Sequence, residues 1–271
     1  MDSPRLVASD IDGTLLGLGD RVTERTVGVI ARVVAAGTPF VLVSGRPPRW
    51  IPPVSGSAGL DGYAVCANGA IIYDIGTGHV VSAHQLDPVQ LHDVTHVLDK
   101  AIPGMAVAAE RVVIGGPHLE APYAAEARYS NPWGDAVDEL TIGSRAEVLG
   151  RPAVKLLVRH ASMTSAEMLF AATELLGDSV DVTYSTNQGL LEISARGVTK
   201  AKGLAEVAEI VGVDQSAVIA FGDMPNDIEM LRWAGHGVAM ANAHDDVKAA
   251  ADEVTAPNSE DGVAQVLERW F

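Results

Sequence analysis

Two aspartates one residue apart, Asp10 and Asp12, stand where the apolar run Leu6-Val7-Ala8 gives way to the turn Gly13-Thr14. Carboxylates this close repel one another and raise each other's pKa unless a cation or a reacting group offsets them, which points to chemistry. The competing reading is an Asp-Gly turn in which Asp12 bonds its own backbone. A second acidic cluster, Gly222-Asp223-Met224-Pro225-Asn226-Asp227, follows another apolar run, Ala217-Val218-Ile219-Ala220. Ligands of an open parallel sheet bind beyond the carboxyl ends of its strands, so acids distant in sequence can meet there. Converging carboxylates with no Cys and no obligatory His describe an all-oxygen site, suited to a hard cation such as Mg²⁺ rather than zinc.

The substrate is read from other residues. Val41-Leu42-Val43-Ser44-Gly45-Arg46-Pro47 is a third strand ending, and it delivers a hydroxyl, a glycine N–H and a guanidinium. Those groups bind phosphate. Lys200, after Gly197-Val198-Thr199, adds an ammonium ahead of a helix whose apolar positions include Leu204, Val207, Ala208 and Val211. Taken singly, Ser44 reads as a strand-end turn and Lys200 as a solvated helix start; together they suit an anionic ligand.

The elements that must position these residues alternate. Strand Arg5 to Ser9, helix Thr23 to Ala36, strand Pro39 to Val43 and strand Tyr63 to Ala67 open the chain, which predicts a parallel sheet with helices on its faces. The pattern resumes with helix Lys200 to Val211, strand Ala217 to Phe221, a helix opened by Pro225 and closed near Gly235, and strand Gly237 to Met240. Pro225 suits a first helical turn, where no N–H partner is needed, and it sets Asn226 and Asp227 beside the site. Between Leu86 and Tyr184 the pattern changes: helix Pro88 to Ala101, strands Met105 to Ile114 and Ala153 to Arg159, helix Thr164 to Leu176 and strand Val180 to Tyr184. The Gly- and Pro-rich stretch Gly115 to Pro132 reads as irregular. The expected division is 1–85 and 185–271 for a core, with 86–184 inserted.

Four ordered motifs then resemble the haloacid dehalogenase-like (HAD) phosphohydrolases, specifically the Cof-type branch with a large inserted cap domain. Asp10-Ile11-Asp12-Gly13-Thr14-Leu15 is similar to the first motif, Ser44-Gly45-Arg46-Pro47 to the second, Lys200 to the third and Gly222 to Asp227 to the fourth. Asn68-Gly69-Ala70 and the tail Gly237 to Ala243 also look like that branch. Lys202 lies near Lys200, and the third-motif role goes to Lys200 by its place after Thr199. The resemblance implies a Rossmann-like α/β core with an inserted α/β cap that closes over the site and selects the leaving group. It also implies a Mg²⁺-dependent phosphatase acting on a small phosphomonoester, such as a sugar phosphate or phosphorylated cofactor. Asp10 would be the nucleophile and Asp12 the acid and base. Asp10, the Asp12 carbonyl and Asp223 would be metal ligands, with Asp227 supporting the metal through water or hydrogen bonds. Ser44 and the Gly45 amide would hold phosphoryl oxygens, beside Lys200; Arg46, Asn226 and Asn187 are further candidates for touching substrate. The alternatives are a phosphomutase and a phosphometabolite-binding protein without turnover.

Charge narrows the partners. A formal charge of −16 leaves no basic surface for nucleic acid or an anionic membrane, so phosphate attraction has to be local. No apolar run reaches the roughly 18 residues that span a bilayer, and the single Cys66, in Tyr63-Ala64-Val65-Cys66, reads as a buried small hydrophobe that fits a reducing cytoplasm. His92 and His96 share a helix spacing that can hold zinc, but no third ligand is apparent and a solvated helix face is the better reading. Trp50, Trp133, Trp233 and Trp270 are scattered and read as packing.

Overall fold

The computed structural model describes residues 2–116, 123–130, 140–184 and 188–271; Asn187 and Trp133 lie outside them. The chain divides into two units, Met1–Ser82 with Thr199–Phe271, and Ala83–Val198.

The first unit opens with β1 (Leu6–Ser9), α1 (Glu24–Ala35), β2 (Phe40–Val43), α2 (Pro52–Ala58), β3 (Tyr63–Cys66), β4 (Ile71–Asp74) and β5 (His79–Ala83). The second unit follows with α3 (Pro88–Ala101), β6 (Ala106–Glu110), β7 (Tyr123–Glu126), β8 (Leu140–Gly143), α4 (Arg145–Leu149), β9 (Lys155–Arg159), α5 (Ser165–Leu176), β10 (Val180–Thr183) and β11 (Leu190–Ala195). The chain then returns with α6 (Lys200–Val211), β12 (Val218–Gly222), α7 (Ile228–Trp233), β13 (His236–Ala239), α8 (Asp245–Ala250), β14 (Glu253–Val254) and α9 (Gly262–Leu267).

The first unit's sheet runs β14-β13-β12-β1-β2-β3-β4-β5. Every residue of β1, β2 and β12 is buried, as strands covered on both faces require, and this is why they read as unbroken apolar runs. β1 pairs in parallel with β12 on one side and β2 on the other, so three strand ends deliver their next residues, Asp10, Ser44 and Asp223, to neighbouring positions. This is the parallel sheet expected from alternation, in the Rossmann-like α/β core that the resemblance implied, with an edge neither revealed: β3 is antiparallel to β4.

The second unit's sheet runs β10-β11-β9-β6-β7-β8. Helices α3, α4 and α5 bury Leu91, Val94, Leu98, Val148 and Met168 in one core with Val107, Ala109, Leu156, Val158 and Ile193 of the sheet. Three expectations need correction here. β6 stops at Glu110, not Ile114. The stretch expected to be irregular contains β7, whose Ala124 and Ala125 pair with β6. The second unit extends to Val198 instead of ending at Tyr184, because β11 pairs antiparallel with both β9 and β10. No helix of the described residues is long and apolar enough to cross a membrane.

α6 presents its first residue to the site, and two glycines let it come close. Thr199 caps the helix, its hydroxyl accepting from Lys202 N at 3.3 Å. Gly69 sits at φ +104°, and a Cβ there would lie 2.0 Å from the Thr199 carbonyl oxygen; a Cβ on Gly203 would lie 2.5 Å from Val65. Gly69→Ala is therefore expected to destabilise the protein by about 3 kcal/mol, through overpacking and a backbone angle that L-residues avoid. Chemical denaturation measures it; an unchanged midpoint would show that α6 is free to shift.

Candidate active site

Asp10 continues β1, its N–H donating to the Phe221 carbonyl at 3.0 Å, which ties the end of β1 to the end of β12. The chain then makes a wide helical turn, Ile11–Leu15, closed by Leu16 N to the Ile11 carbonyl at 2.9 Å. Gly13 stands in that turn at φ +79°, where a Cβ would come within 2.3 Å of Asp223 Oδ2. The glycine is what lets the two acidic segments touch.

Four charged side chains meet there, all buried. Lys200 Nζ donates to Asp10 Oδ1 at 2.6 Å and to Asp227 Oδ1 at 2.6 Å. Asp227 Oδ2 accepts from the backbone N–H groups of Asp223 at 3.0 Å and Met224 at 2.9 Å, so both its oxygens are engaged. Asp223 Oδ1 accepts from Thr14 Oγ1 at 2.7 Å. Carboxylate oxygens of Asp10, Asp223 and Asp227 lie within 4.8 Å of one another. Of the two candidate lysines, Lys200 is 2% exposed and Lys202 lies on the exposed side of the helix.

Three carboxylates against one ammonium leave this buried cluster short of positive charge. Burial pushes the Asp10 carboxyl well above its ordinary range, Lys200 opposes that shift, and Asp227 and Asp223 add to it. Burial likewise raises Asp223 to about 6, against the bond from Thr14. Burial alone would lower the Lys200 ammonium, but Asp10 and Asp227 outweigh it and hold it protonated. An all-oxygen cluster with a deficit of positive charge fits a divalent hard cation.

Asp12 stands apart from the buried three. Its carboxylate is half exposed and meets the Arg46 guanidinium in a two-pronged pair, Arg46 Nε donating to Oδ2 at 2.8 Å and Nη2 to Oδ1. Ser44 is buried after β2; its N–H donates to the Val65 carbonyl at 2.8 Å, and its hydroxyl oxygen accepts from Arg46 N at 3.1 Å. Asn226 Nδ2 donates to Asn68 Oδ1 at 3.0 Å, and Asn68 Oδ1 also bounds Gly45, lying 3.0 Å from where a Cβ would be.

The structure thus gathers Asp10, Asp223, Asp227 and Lys200 directly, and joins Asp12 to Arg46 and Asn226 to Asn68. Sequence reading gave no role to four supporting residues. Thr14 orients Asp223; Asn68, at φ +59°, orients Asn226. Asn242 Nδ2 donates to the Gly13 carbonyl at 2.8 Å and its Oδ1 accepts from Asn258 N at 3.0 Å, while Asn258 Nδ2 donates to the Leu16 carbonyl at 2.8 Å. The Asn-Gly pair at 68 and 69 was a signal of a left-handed turn; nothing local marked the Asn242 and Asn258 bridge.

A profile of the haloacid dehalogenase-like hydrolases matches residues 7–267. The chain belongs to that family. Within the HAD family it is of the Cof type, and it is an enzyme, a phosphoric monoester hydrolase in class. It is similar to the 5-amino-6-(5-phospho-D-ribitylamino)uracil phosphatase YitU of Bacillus subtilis (strain 168), 31% identical over 99% of this chain and 98% of that one. It is also similar to the pyridoxal phosphate phosphatase YbhA of Escherichia coli (strain K12), 29% identical over 97% of each. A haloacid dehalogenase-like hydrolase from Bacteroides thetaiotaomicron, solved by crystallography, superposes with a TM-score of 0.78 at 26% identity, over 99% of this chain and 100% of that one.

Proposed function

We propose that this HAD enzyme is a Mg²⁺-dependent phosphatase that hydrolyses a small phosphomonoester, a sugar phosphate or phosphorylated cofactor, through an aspartyl-phosphate on Asp10. The observation that carries the reading is the Lys200 ammonium fixed between Asp10 and Asp227 with Asp223 beside them. The names of the two relatives, one acting on a phosphorylated pyrimidine and one on pyridoxal phosphate, support the substrate class.

Lys200 holds Asp10 Oδ1, leaving Oδ2 to attack phosphorus. As that bond forms, the ester P–O bond breaks and Asp12 gives a proton to the leaving oxygen. Water then attacks phosphorus, passes a proton to Asp12 and frees Asp10, releasing inorganic phosphate. Covalent capture splits one difficult displacement into two, and Asp12 serves as acid and then as base. To donate, Asp12 leaves its pair with Arg46, whose guanidinium then suits a phosphoryl oxygen. Ser44 and the Gly45 amide take the remaining phosphoryl oxygens, and Asn226 is oriented toward substrate by Asn68. Asp10, the Asp12 carbonyl and Asp223 would hold the Mg²⁺, with Asp227, its oxygens already engaged, supporting from outside. Bound there, the ion supplies the positive charge that lets an anionic nucleophile approach a phosphate dianion.

Two outcomes test this. Asp12→Ala is expected to lower kcat/KM, which reports the steps up to loss of the leaving group, by about 10² to 10⁴ on alkyl phosphates, which need a proton on the leaving oxygen, and much less on 4-nitrophenyl phosphate, which does not. An equal loss on both would remove Asp12 from the acid role. EDTA is expected to abolish hydrolysis and lower the melting temperature. A hundredfold excess of Mg²⁺ over its Kd restores about 2.7 kcal/mol, and Asp223→Asn is expected to erase that response in calorimetry. A panel of phosphomonoesters with product analysis names the substrate. An isomerised sugar phosphate without free phosphate would replace hydrolase with mutase.

A further inference from the structure

A cavity of about 320 Å³ opens in the second unit beside α4 and β8. Thr141 of β8, Val148 of α4, Arg111 just after β6 and Arg151 just after α4 line it, with Glu147. Arg111 is 8% exposed. Its Nη2 donates to the carbonyls of Glu147 and Val148, each at 2.7 Å, at the end of α4, while its Nε has no hydrogen-bond partner among the described residues.

Neither Arg111 nor Arg151 pairs with a carboxylate among the described residues, in a chain with 35 acidic and 19 basic side chains. Elsewhere Arg25, Arg145, Arg196 and Arg269 each meet an acid within 3.0 Å. Glu147, the acid among the described lining residues, is committed to its own helix start: its Oε2 accepts from Ser144 N at 2.8 Å and Ser144 Oγ at 2.7 Å. Burial and the neighbouring Arg151 charge both lower the Arg111 pKa. Two guanidinium groups line this one cavity, and guanidinium donors suit the oxygens of a phosphate.

We propose that this cavity binds a small phosphate-bearing molecule between Arg111 and Arg151. The site lies wholly within the second unit, shares no residue with the Asp10 and Lys200 cluster, and does not rest on the phosphatase reading. Phenylglyoxal modifies free guanidinium groups, and peptide mass spectrometry locates the label. With inorganic phosphate as the probe, in EDTA and at constant ionic strength made up with chloride, labelling of Arg151 is expected to slow by about tenfold. Arg151→Gln, an exposed substitution, is expected to keep the melting temperature and kcat/KM. Equilibrium dialysis should find it binding one phosphate fewer than the wild type. Labelling of Arg151 at the same rate with and without phosphate, or equal phosphate binding by the two proteins, would overturn the site.

Discussion

Asp10→Asn is expected to lower kcat by at least roughly 10⁴, because the amide cannot form the covalent intermediate and positioning alone retains only a small part of catalysis. The same change is expected to leave the fold intact. In the absence of metal, burial and two neighbouring carboxylates raise the Asp10 pKa against the pull of Lys200. A neutral group of the same shape relieves that repulsion, while Lys200 keeps its 2.6 Å bond to Asp227. The metal-free variant should therefore melt no lower than the metal-free wild type. Turnover at wild-type rate, or a collapse in stability, would each contradict the role given to Asp10.

Lys200→Met is expected to be damaging in both respects. The ammonium is 2% exposed and is bonded to two carboxylates that are themselves buried. Removing one side of a buried ion pair leaves an uncompensated charge and costs about 3 to 5 kcal/mol. Here two acids lose one partner. Activity should fall with stability, because Asp10 loses the group that fixes Oδ1. Combining Lys200→Met with Asp10→Asn separates the effects: the double variant should recover part of the lost stability and none of the activity. If the single Lys200 variant melts like the wild type, the buried charge cluster does not exist as described.

Much of this site was legible because strands buried on both faces leave an unmistakable apolar signature. β1, β2 and β12 each end where that signature stops, and the next residues are Asp10, Ser44 and Asp223. The motif order then resembled one family closely enough to point to Lys200 over Lys202. What escaped reading depends on partners. The two oxygens of Asp227 are used by Lys200 and by two backbone amides, which no spacing foretells. Asn242 reaches the Gly13 carbonyl from the far end of the chain. β7 was hidden by small residues, Ala124 and Ala125, in a stretch flanked by Gly and Pro. β11 is buried over its first four residues like a core strand, and only its antiparallel pairing with β9 and β10 assigns it to the second unit.

The central claim is a phosphoryl group carried on Asp10. Asp12→Ala with 4-nitrophenyl phosphate and Mg²⁺ should accumulate it, because the first step needs no proton for that leaving group while the second lacks its base. Acid quenching, borohydride reduction of the acyl phosphate and peptide sequencing by mass spectrometry then read the site. Homoserine at position 10, formed only when substrate is present, is the expected result. Steady release of phosphate with Asp10 unreduced, or reduction at another carboxylate, would contradict the mechanism.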